Sequence, residues 1–323
     1  LCMLTKIQYL DLSSNKLTGE LPASLGNLTK LVTLSLQENR ISGSTPQEIG
    51  NLVNLNILNF GYNQISGLVP KTFGNLVSIQ LMAMVHNQLT GSLPREFENL
   101  TGIADLWLDN NSFSGHLPAN VCMGGRLKTF MIGGNAFDGP IPRSLKTCTS
   151  LVKLSVYNNL LTGDISEHFG VYPHLKSVSL SYNRFFGQIS PNWVASPQLE
   201  EMDFHKNMIT GVLPPALSKL SNLGLLRLDH NNISGEIPAE FGNLKSLYKI
   251  NLSFNQLSGY LPAQLGKLSN LGYLDVSRNN LSGPIPDELG DCIRLESLNS
   301  NIHWSKKYWM NGLQHPQQQK RKA

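Results

Sequence analysis

A group of ionisable side chains lies between positions 201 and 230 of the 323-residue chain. Carboxylates, imidazoles and a guanidinium this close together could bind a charged peptide, or they could satisfy one another in a salt-bridge network. The sequence leaves both interpretations open. The members of this charged cluster are Glu201, Asp203, His205, Lys206, Arg227, Asp229 and His230.

A second group combines apolar and acidic side chains between positions 81 and 157. We expect its tryptophan, Trp107, on the open face of a sheet, where there is no core to fill, and exposed apolar clusters often mark contact surfaces. The rival interpretation is that Trp107 packs on Met131 and Tyr157 beside it. The members of this Trp107 patch are Leu81, Val85, Asp105, Trp107, Asp109, Met131 and Tyr157.

Motifs for catalysis are missing from the sequence. The eight histidines are scattered and form no HExxH motif, and no CxxC pair suggests zinc or redox chemistry. The sequence contains no glycine-rich phosphate loop and no kinase HRD or DFG motif. We therefore expect binding rather than catalysis, without a metal or a cofactor.

Both groups take their spacing from an internal repeat. An asparagine recurs every 24 residues from Asn15 to Asn279, twelve times, and a glycine follows each one four residues later, from Gly19 to Gly283. A fixed period of this length is typical of units that stack into a solenoid and share one continuous core. The repeat therefore predicts an elongated molecule with a binding surface.

Each repeat has a pattern that predicts one short strand and one turn. In the second repeat, Leu34 and Leu36 alternate with polar residues, which indicates a strand with one buried face. The recurring asparagine should end this strand and bond to backbone groups of neighbouring coils, so that alanine would cost roughly 1–3 kcal/mol. The glycine should permit a positive φ or a close backbone approach. A large apolar residue, such as Phe73, should fill the convex side from a short helical turn.

The segment between the glycine and this turn is similar to the plant-specific subclass of leucine-rich repeats. The stretches Leu17–Pro22 and Ile233–Pro238 follow the pattern L-T/S-G-x-I/L-P, and the resemblance covers residues 4–298. It implies a leucine-rich-repeat solenoid of twelve 24-residue repeats. The subclass has a parallel sheet on the concave face, short 3-10 or helical turns on the convex face, a second short strand and a superhelical twist.

The repeats should form a single domain over residues 1–300, followed by a non-repeat tail. A degenerate thirteenth unit occupies 295–300, with Ser300 where an apolar residue belongs. Residues 301–323 hold five of the 26 basic residues and no acidic one, which leaves 21 basic and 22 acidic residues in the repeats. No basic stripe suggests nucleic-acid binding. The tail is either a functional basic segment or a chance terminus, and we expect it to be disordered.

The cysteines and sequons are consistent with an extracellular protein. Cys122 and Cys148 lie in adjacent coils, where a disulfide suits an oxidising compartment, and Cys292 occupies a core position. The sequence contains no stretch of about 20 apolar residues, so it predicts no membrane-spanning helix. A glycan on Asn251 would block one coil of the concave face. The six sequons begin at Asn27, Asn99, Asn110, Asn232, Asn251 and Asn280.

Three segments make the resemblance more specific, from a class of repeats to one subfamily of proteins. Residues 121–127, 137–151 and 169–175 resemble plant receptor-like kinases of the MALE DISCOVERER-interacting subfamily. This resemblance implies that the whole protein perceives a secreted peptide on its concave face, at the extracellular side of the plasma membrane. It also implies a co-receptor with leucine-rich repeats and a cytoplasmic serine/threonine kinase.

The chain departs from that subfamily in ways that keep other functions open. The sequence shows no signal peptide, no cysteine caps, no membrane span and no kinase domain. We therefore expect a fragment of a longer protein or the product of a truncated gene. One alternative is a soluble inhibitor of a pathogen enzyme, similar to polygalacturonase-inhibiting proteins. A third hypothesis is that the full gene product is an enzyme through a kinase domain outside this chain.

Overall fold

The first layer of the molecule is a parallel sheet of thirteen strands. The computed structural model describes residues 4–300, and every strand in this sheet pairs with those one coil before and after it, as Leu10 with Leu34. The middle residue of the strands is buried in the core, apart from a half-buried one in the last. The strands are Tyr9–Asp11, Thr33–Ser35, Ile57–Asn59, Leu81–Ala83, Asp105–Trp107, Thr129–Met131, Lys153–Ser155, Ser177–Ser179, Glu201–Asp203, Leu225–Arg227, Lys249–Asn251, Tyr273–Asp275 and Ser297–Asn299.

A second strand follows in most coils, as the subclass resemblance implies. These strands form a sheet of nine and a sheet of three, which a single bridge between Val212 and Ser234 connects. The nine are Thr18–Glu20, Arg40–Ser44, Gln64–Leu68, Gln88–Gly91, Ser112–His116, Ala136–Pro140, Leu160–Asp164, Arg184–Gln188 and Met208–Thr210. The three are Ser234–Gly235, Gln256–Tyr260 and Asn280–Ser282.

Short helical turns close the opposite side of the coils. Each turn buries one large apolar residue, such as Phe73 or Trp193, and within residues 4–300 no helix is long and apolar enough to cross a membrane. The 3-10 turns are Ala23–Asn27, Gln47–Asn51, Lys71–Asn75, Arg95–Asn99, Pro191–Ala195, Pro215–Lys219, Ala239–Asn243, Ala263–Lys267 and Asp287–Asp291. Single α-turns occupy Arg143–Lys146 and Ile165–His168.

The recurring asparagines form the predicted ladder between coils. Asn39 Nδ2 donates to the carbonyl oxygen of Leu12 in the preceding coil at 2.9 Å, and Asn39 Oδ1 accepts from the amide of Leu17 at 2.9 Å. The same amide group also donates to two carbonyls of its own turn. All asparagines from Asn39 to Asn279 repeat these contacts, so each satisfies backbone groups that the turn leaves without partners.

Two of the recurring glycines, Gly139 and Gly187, satisfy two requirements at once. Gly139 has φ +72°, in the left-handed region that favours glycine, and a Cβ there would overlap the His116 ring of the preceding coil. Gly187 has φ +86° and is covered in the same way by Asp164. At these two positions the last side chain of the second strand of one coil therefore packs on the glycine of the next coil, whereas no heavy atom lies within 4 Å of the Cβ position at Gly19.

The thirteenth unit and the cysteines complete the described part. Cys122 and Cys148 form a disulfide with Cα atoms 5.8 Å apart, whereas Cys292 is buried and free.

The last strand pairs through Leu298 with coil twelve, but Ser300 Oγ is buried without a partner. The predictions for the basic tail fall outside the described residues.

Replacing one ladder asparagine tests this account of the stacking. We expect Asn159→Ala to lower the free energy of unfolding by roughly 1–3 kcal/mol for each buried group left unpaired, because Asn159 is 7% exposed and bonds two coils. Denaturant unfolding measures the change. Asn75→Ala, at an exposed turn position, is the control. Equal losses in the two variants would contradict the ladder's role.

Candidate functional site

The outward face of the thirteen-stranded sheet carries both predicted groups. Because side chains alternate along a strand, residues 105, 107 and 109 point outward while Leu106 and Leu108 enter the core. Trp107 is flanked in register by Ala83 and Met131 in the neighbouring coils. The structure thus brings the Trp107 patch together over successive coils.

The Trp107 patch is packed more closely than the sequence suggested. Its five apolar side chains are half-buried, and the indole Nε1 of Trp107 is buried without a hydrogen-bond partner. The partial burial of Trp107 agrees with both interpretations of the sequence, a ligand contact and packing on Met131 and Tyr157, so its role as a contact stays a prediction. These half-buried residues are Leu81, Val85, Trp107, Met131 and Tyr157.

Asp109 lies beneath this surface. It is 4% exposed; its Oδ1 accepts from the Gly133 amide at 2.9 Å, and its Oδ2 has no partner. Burial raises the pKa of the Asp109 carboxyl from 3.8 to about 6, and the hydrogen bond from the Gly133 amide, followed by the more distant Lys153 and His86, offsets only part of this effect. Asp109 is therefore no contact on an open face, contrary to the sequence prediction, but a buried acid at the floor of the patch.

The charged cluster is largely a salt-bridge network. Arg227 lies between two carboxylates, with Nη1 3.4 Å from Asp203 Oδ2 and Nε 3.7 Å from Asp229 Oδ1. His205 Nδ1 is 2.5 Å from Asp203 Oδ1, and His230 Nδ1 is 3.0 Å from Asp229 Oδ2. The geometry thus favours the interpretation in which these groups pair with one another, although Arg227 Nε and Asp229 Oδ1 are buried without a hydrogen-bond partner.

The remaining members of the charged cluster take separate positions. His205 and Asp229 are buried, 5% and 3% exposed, so they lie beneath the outward surface on which the sequence analysis placed them. Glu201 accepts a hydrogen bond from Ser177, and the Lys206 ammonium lies 4.5 Å from the centroid of the Tyr182 ring. Between Leu4 and Ser300, no group of three acidic, histidine or cysteine side chains could hold a metal ion.

As binding residues, sequence reasoning named only Lys206 and His230 from a third row of side chains, the residues that precede the ladder asparagines. These turn positions have φ of 50° to 64°, yet several hold exposed rings, such as Tyr62 and Phe254. Tyr62 stacks on His86 at 4.5 Å between ring centroids, and His86 Nε2 lies 3.1 Å from Asn110 Nδ2. The 24-residue period would have found this row, because each member directly precedes a ladder asparagine.

The six sequons differ in accessibility. Asn110 and Asn251 are half-buried; Asn110 is bonded to His86 and Tyr157, and Asn251 accepts from Ser253. Glycosylation at all six positions stays a prediction. The exposed sequon asparagines are Asn27, Asn99, Asn232 and Asn280.

Two family models match the chain, and both describe repeats. Residues 1–204 match the leucine-rich repeat region, and the segments 198–220, 222–244, 246–268 and 270–292 match the single leucine-rich repeat. No curated protein matches the chain at a significant level.

The chain is similar to solved structures from plants and from a bacterium. The plant peptide hormone receptor RGFR1 in complex with RGF2 is 30% identical with a TM-score of 0.80, over 93% of this chain and 52% of that one. The Arabidopsis receptor kinase HAESA in complex with the peptide hormone IDA and the co-receptor SERK1 is 30% identical with a TM-score of 0.56, over 93% and 62%. A leucine-rich-repeat protein of Leptospira interrogans is 31% identical with a TM-score of 0.72, over 93% and 74%.

These similarities extend over nearly all of this chain but over only part of each plant receptor. The chain spans roughly half to three-fifths of the length of the two plant receptors. The bacterial protein shares the fold to a comparable degree, so the fold alone does not identify a ligand.

The buried acid gives a testable dependence of stability on pH. A carboxyl with a raised folded-state pKa contributes stability below its unfolded pKa, and this stability is lost as the pH rises from 3.8 to about 6. Between these pH values, we expect the free energy of unfolding of the wild-type protein to fall by on the order of 3 kcal/mol relative to that of Asp109→Asn. Urea unfolding at about pH 4 and about pH 7 measures the difference, with Asp275→Asn as a carboxylate-loss control. A wild-type-to-variant difference independent of pH would contradict the buried-acid account.

Proposed function

Because the chain belongs to the leucine-rich repeat family, we propose that it is the peptide-binding part of the ectodomain of a plant receptor-like kinase. One observation carries this proposal: the outward face holds polar atoms without partners, Trp107 Nε1 and Asp109 Oδ2, inside a half-buried apolar patch. Unpaired buried polar atoms are costly in a free protein, and a ligand that pairs them recovers this free energy on binding.

The shape of the outward face suits an extended peptide. Thirteen strands at about 4.8 Å spacing span roughly 58 Å. An extended chain advances about 3.3–3.6 Å per residue, so a segment of roughly 12–15 residues covers most of this face. The strands of the sheet offer side chains rather than free backbone edges there. Recognition therefore depends on the outward side chains, which line up in columns from coil to coil.

The comparison structures support the same function. RGFR1 is in complex with RGF2, and HAESA is in complex with a peptide hormone and a co-receptor. We propose by analogy a secreted peptide ligand and a co-receptor with leucine-rich repeats for the whole protein, which would act at the extracellular face of the plasma membrane. Membership of the MALE DISCOVERER-interacting subfamily is the finer part of this proposal.

The two predicted groups have different roles in this proposal. In the charged cluster, Arg227 already forms ion pairs with Asp203 and Asp229, so a ligand gains little by breaking them, even though Arg227 Nε and Asp229 Oδ1 form no hydrogen bond. The Trp107 patch offers apolar area together with unpaired atoms, and tryptophan is enriched among residues that dominate binding energies. We therefore assign the main anchoring contact to Trp107 and a supporting role to the charged cluster.

A truncation at position 107 tests the proposed contact. We expect Trp107→Ala to weaken binding of a secreted plant peptide by about tenfold or more, because a hot-spot residue contributes roughly 2 kcal/mol. The melting temperature should change little, because Trp107 lies outside the core. Calorimetry with peptides from a secreted-peptide screen, together with thermal unfolding, measures both quantities.

The matched control is Tyr260→Ala, which removes an exposed aromatic side chain from the second strand of coil eleven. It should leave peptide binding unchanged. If Trp107→Ala destabilises the fold and leaves affinity intact, Trp107 is structural and the proposed contact is wrong. If no peptide binds and the chain inhibits a pathogen polygalacturonase, the inhibitor function replaces the receptor function.

A further inference from the structure

We infer that Gly133 marks a pocket which Tyr157 covers in this structure and which accepts the cationic side chain of a ligand residue between Asp105, Asp109 and Trp107. The inference rests on the proposed function, because it names the chemical class of ligand residue that the Trp107 patch recognises. Arginine and lysine are the residues of this class.

The proposed pocket lies over Gly133, which has no side chain. Gly133 occupies an outward position at which most coils present a side chain, such as Ser181 or His205. The Tyr157 ring lies in the vacated space, since a Cβ at Gly133 would overlap the ring. Tyr157 reaches across two coils and donates from its hydroxyl to Asn110 Oδ1 at 3.4 Å.

The Tyr157 cover is held weakly. A donor–acceptor distance of 3.4 Å is at the long end of hydrogen bonds, and the side chain is only half-buried. Rotation about the tyrosine side-chain torsions would remove the ring from Gly133. Such rotamer changes at a binding surface are common between free and bound proteins. Movement of the Tyr157 ring would therefore open the space over Gly133 to a ligand.

The floor of this space requires a hydrogen-bond donor. Asp109 Oδ1 is paired with the Gly133 amide, but Oδ2 is buried without a partner. A carboxylate forms its strongest hydrogen bonds with charged donors, above all with a guanidinium, which can contact two acceptors at once. A neutral donor would pair the same oxygen but would leave the buried charge uncompensated.

The walls of the space also suit a cation. Asp105 and Trp107 point outward from one strand, and Asp109 follows its end by two residues, so carboxylates precede and follow the indole along the chain, and a cation over such a ring gains further attraction. The buried Trp107 Nε1 lacks an acceptor. A backbone carbonyl of the same ligand residue would supply one. The three unfilled requirements together describe an arginine or lysine residue within a peptide.

The groups that face Asp109 do not already supply this cation. His86 in the preceding coil and Lys153 in a following coil act on Asp109 only at a distance, and neither forms an ion pair with it within 4.0 Å. Tyr157 and Asn110 are neutral. Burial remains the dominant influence, and it holds the pKa of Asp109 at about 6. Cation binding should therefore weaken as the pH falls through this value, because the carboxyl loses its charge.

Fluorine NMR of the full chain tests the pocket directly. The four tryptophans are labelled as 5-fluorotryptophan, and the Trp107→Phe variant assigns the resonance of Trp107. The probes are N-acetyl-arginine amide and its neutral isostere, N-acetyl-citrulline amide. We expect a saturable shift of the Trp107 resonance with the arginine probe and about tenfold weaker binding of the citrulline probe.

Variants separate the pocket from a general surface effect. Asp109→Asn should weaken the arginine probe about tenfold, Tyr157→Ala should strengthen it by removing the cover, and Asp275→Asn on another coil should leave it unchanged. Equal binding of the two probes, or an unchanged affinity in Asp109→Asn, would overturn the inference. If Asp109→Asn does not fold, Asp105→Asn and a titration of probe affinity between about pH 5 and about pH 7 decide the question in the same way.

The outcome is distinguishable from a failure of the proposed function. A peptide that binds the wild type and Asp109→Asn equally well keeps the receptor function and removes the pocket. Saturable binding of the arginine probe, with dependence on Asp109 but without any peptide ligand, keeps the pocket and removes the receptor function.

Discussion

The hydrogen bonds of the asparagine ladder are the interaction on which the rest of this molecule depends. Each side-chain amide from Asn39 onward bonds two backbone groups of the preceding coil. One lies just after the first strand of that coil and the other just before its second strand. Because one side chain satisfies these groups, the chain can turn sharply without leaving buried backbone polar atoms unpaired. The ladder therefore fixes the register between coils, and the register fixes which side chains become neighbours on the outward face.

This fixed register allows function to vary without changing the fold. The outward positions contribute little to the core, so they are free to hold Ser35 in one coil and Trp107 in another. The same freedom permits groups that a compact core would exclude, such as the buried carboxylate of Asp109 and the Asp203–Arg227–Asp229 series. Binding specificity in this architecture arises from a few departures within otherwise neutral columns.

Most of the fold could be predicted because its determinants repeat. The ladder, the positive φ at the glycines and the helical turns each follow from backbone hydrogen bonding and core packing in one coil, and twelve copies make the pattern clear. The site could be predicted only as columns of residues. Asp109 is bonded to the Gly133 amide, and the Tyr157 ring of the next coil lies over Gly133, an arrangement that sequence spacing does not specify because it does not set side-chain orientation. For the same reason, spacing placed Arg227 near two carboxylates but did not decide whether they contact one another.

Photo-crosslinking tests the central claim, that a peptide binds on the outward face over the Trp107 patch, most directly. A peptide that binds the chain is synthesised with a photoreactive residue, irradiated in the complex, and its attachment sites are identified by mass spectrometry. The account predicts attachment to outward residues between Leu81 and Tyr157. Attachment confined to the helical turns, such as Lys71–Asn75, or to the second strands would contradict it.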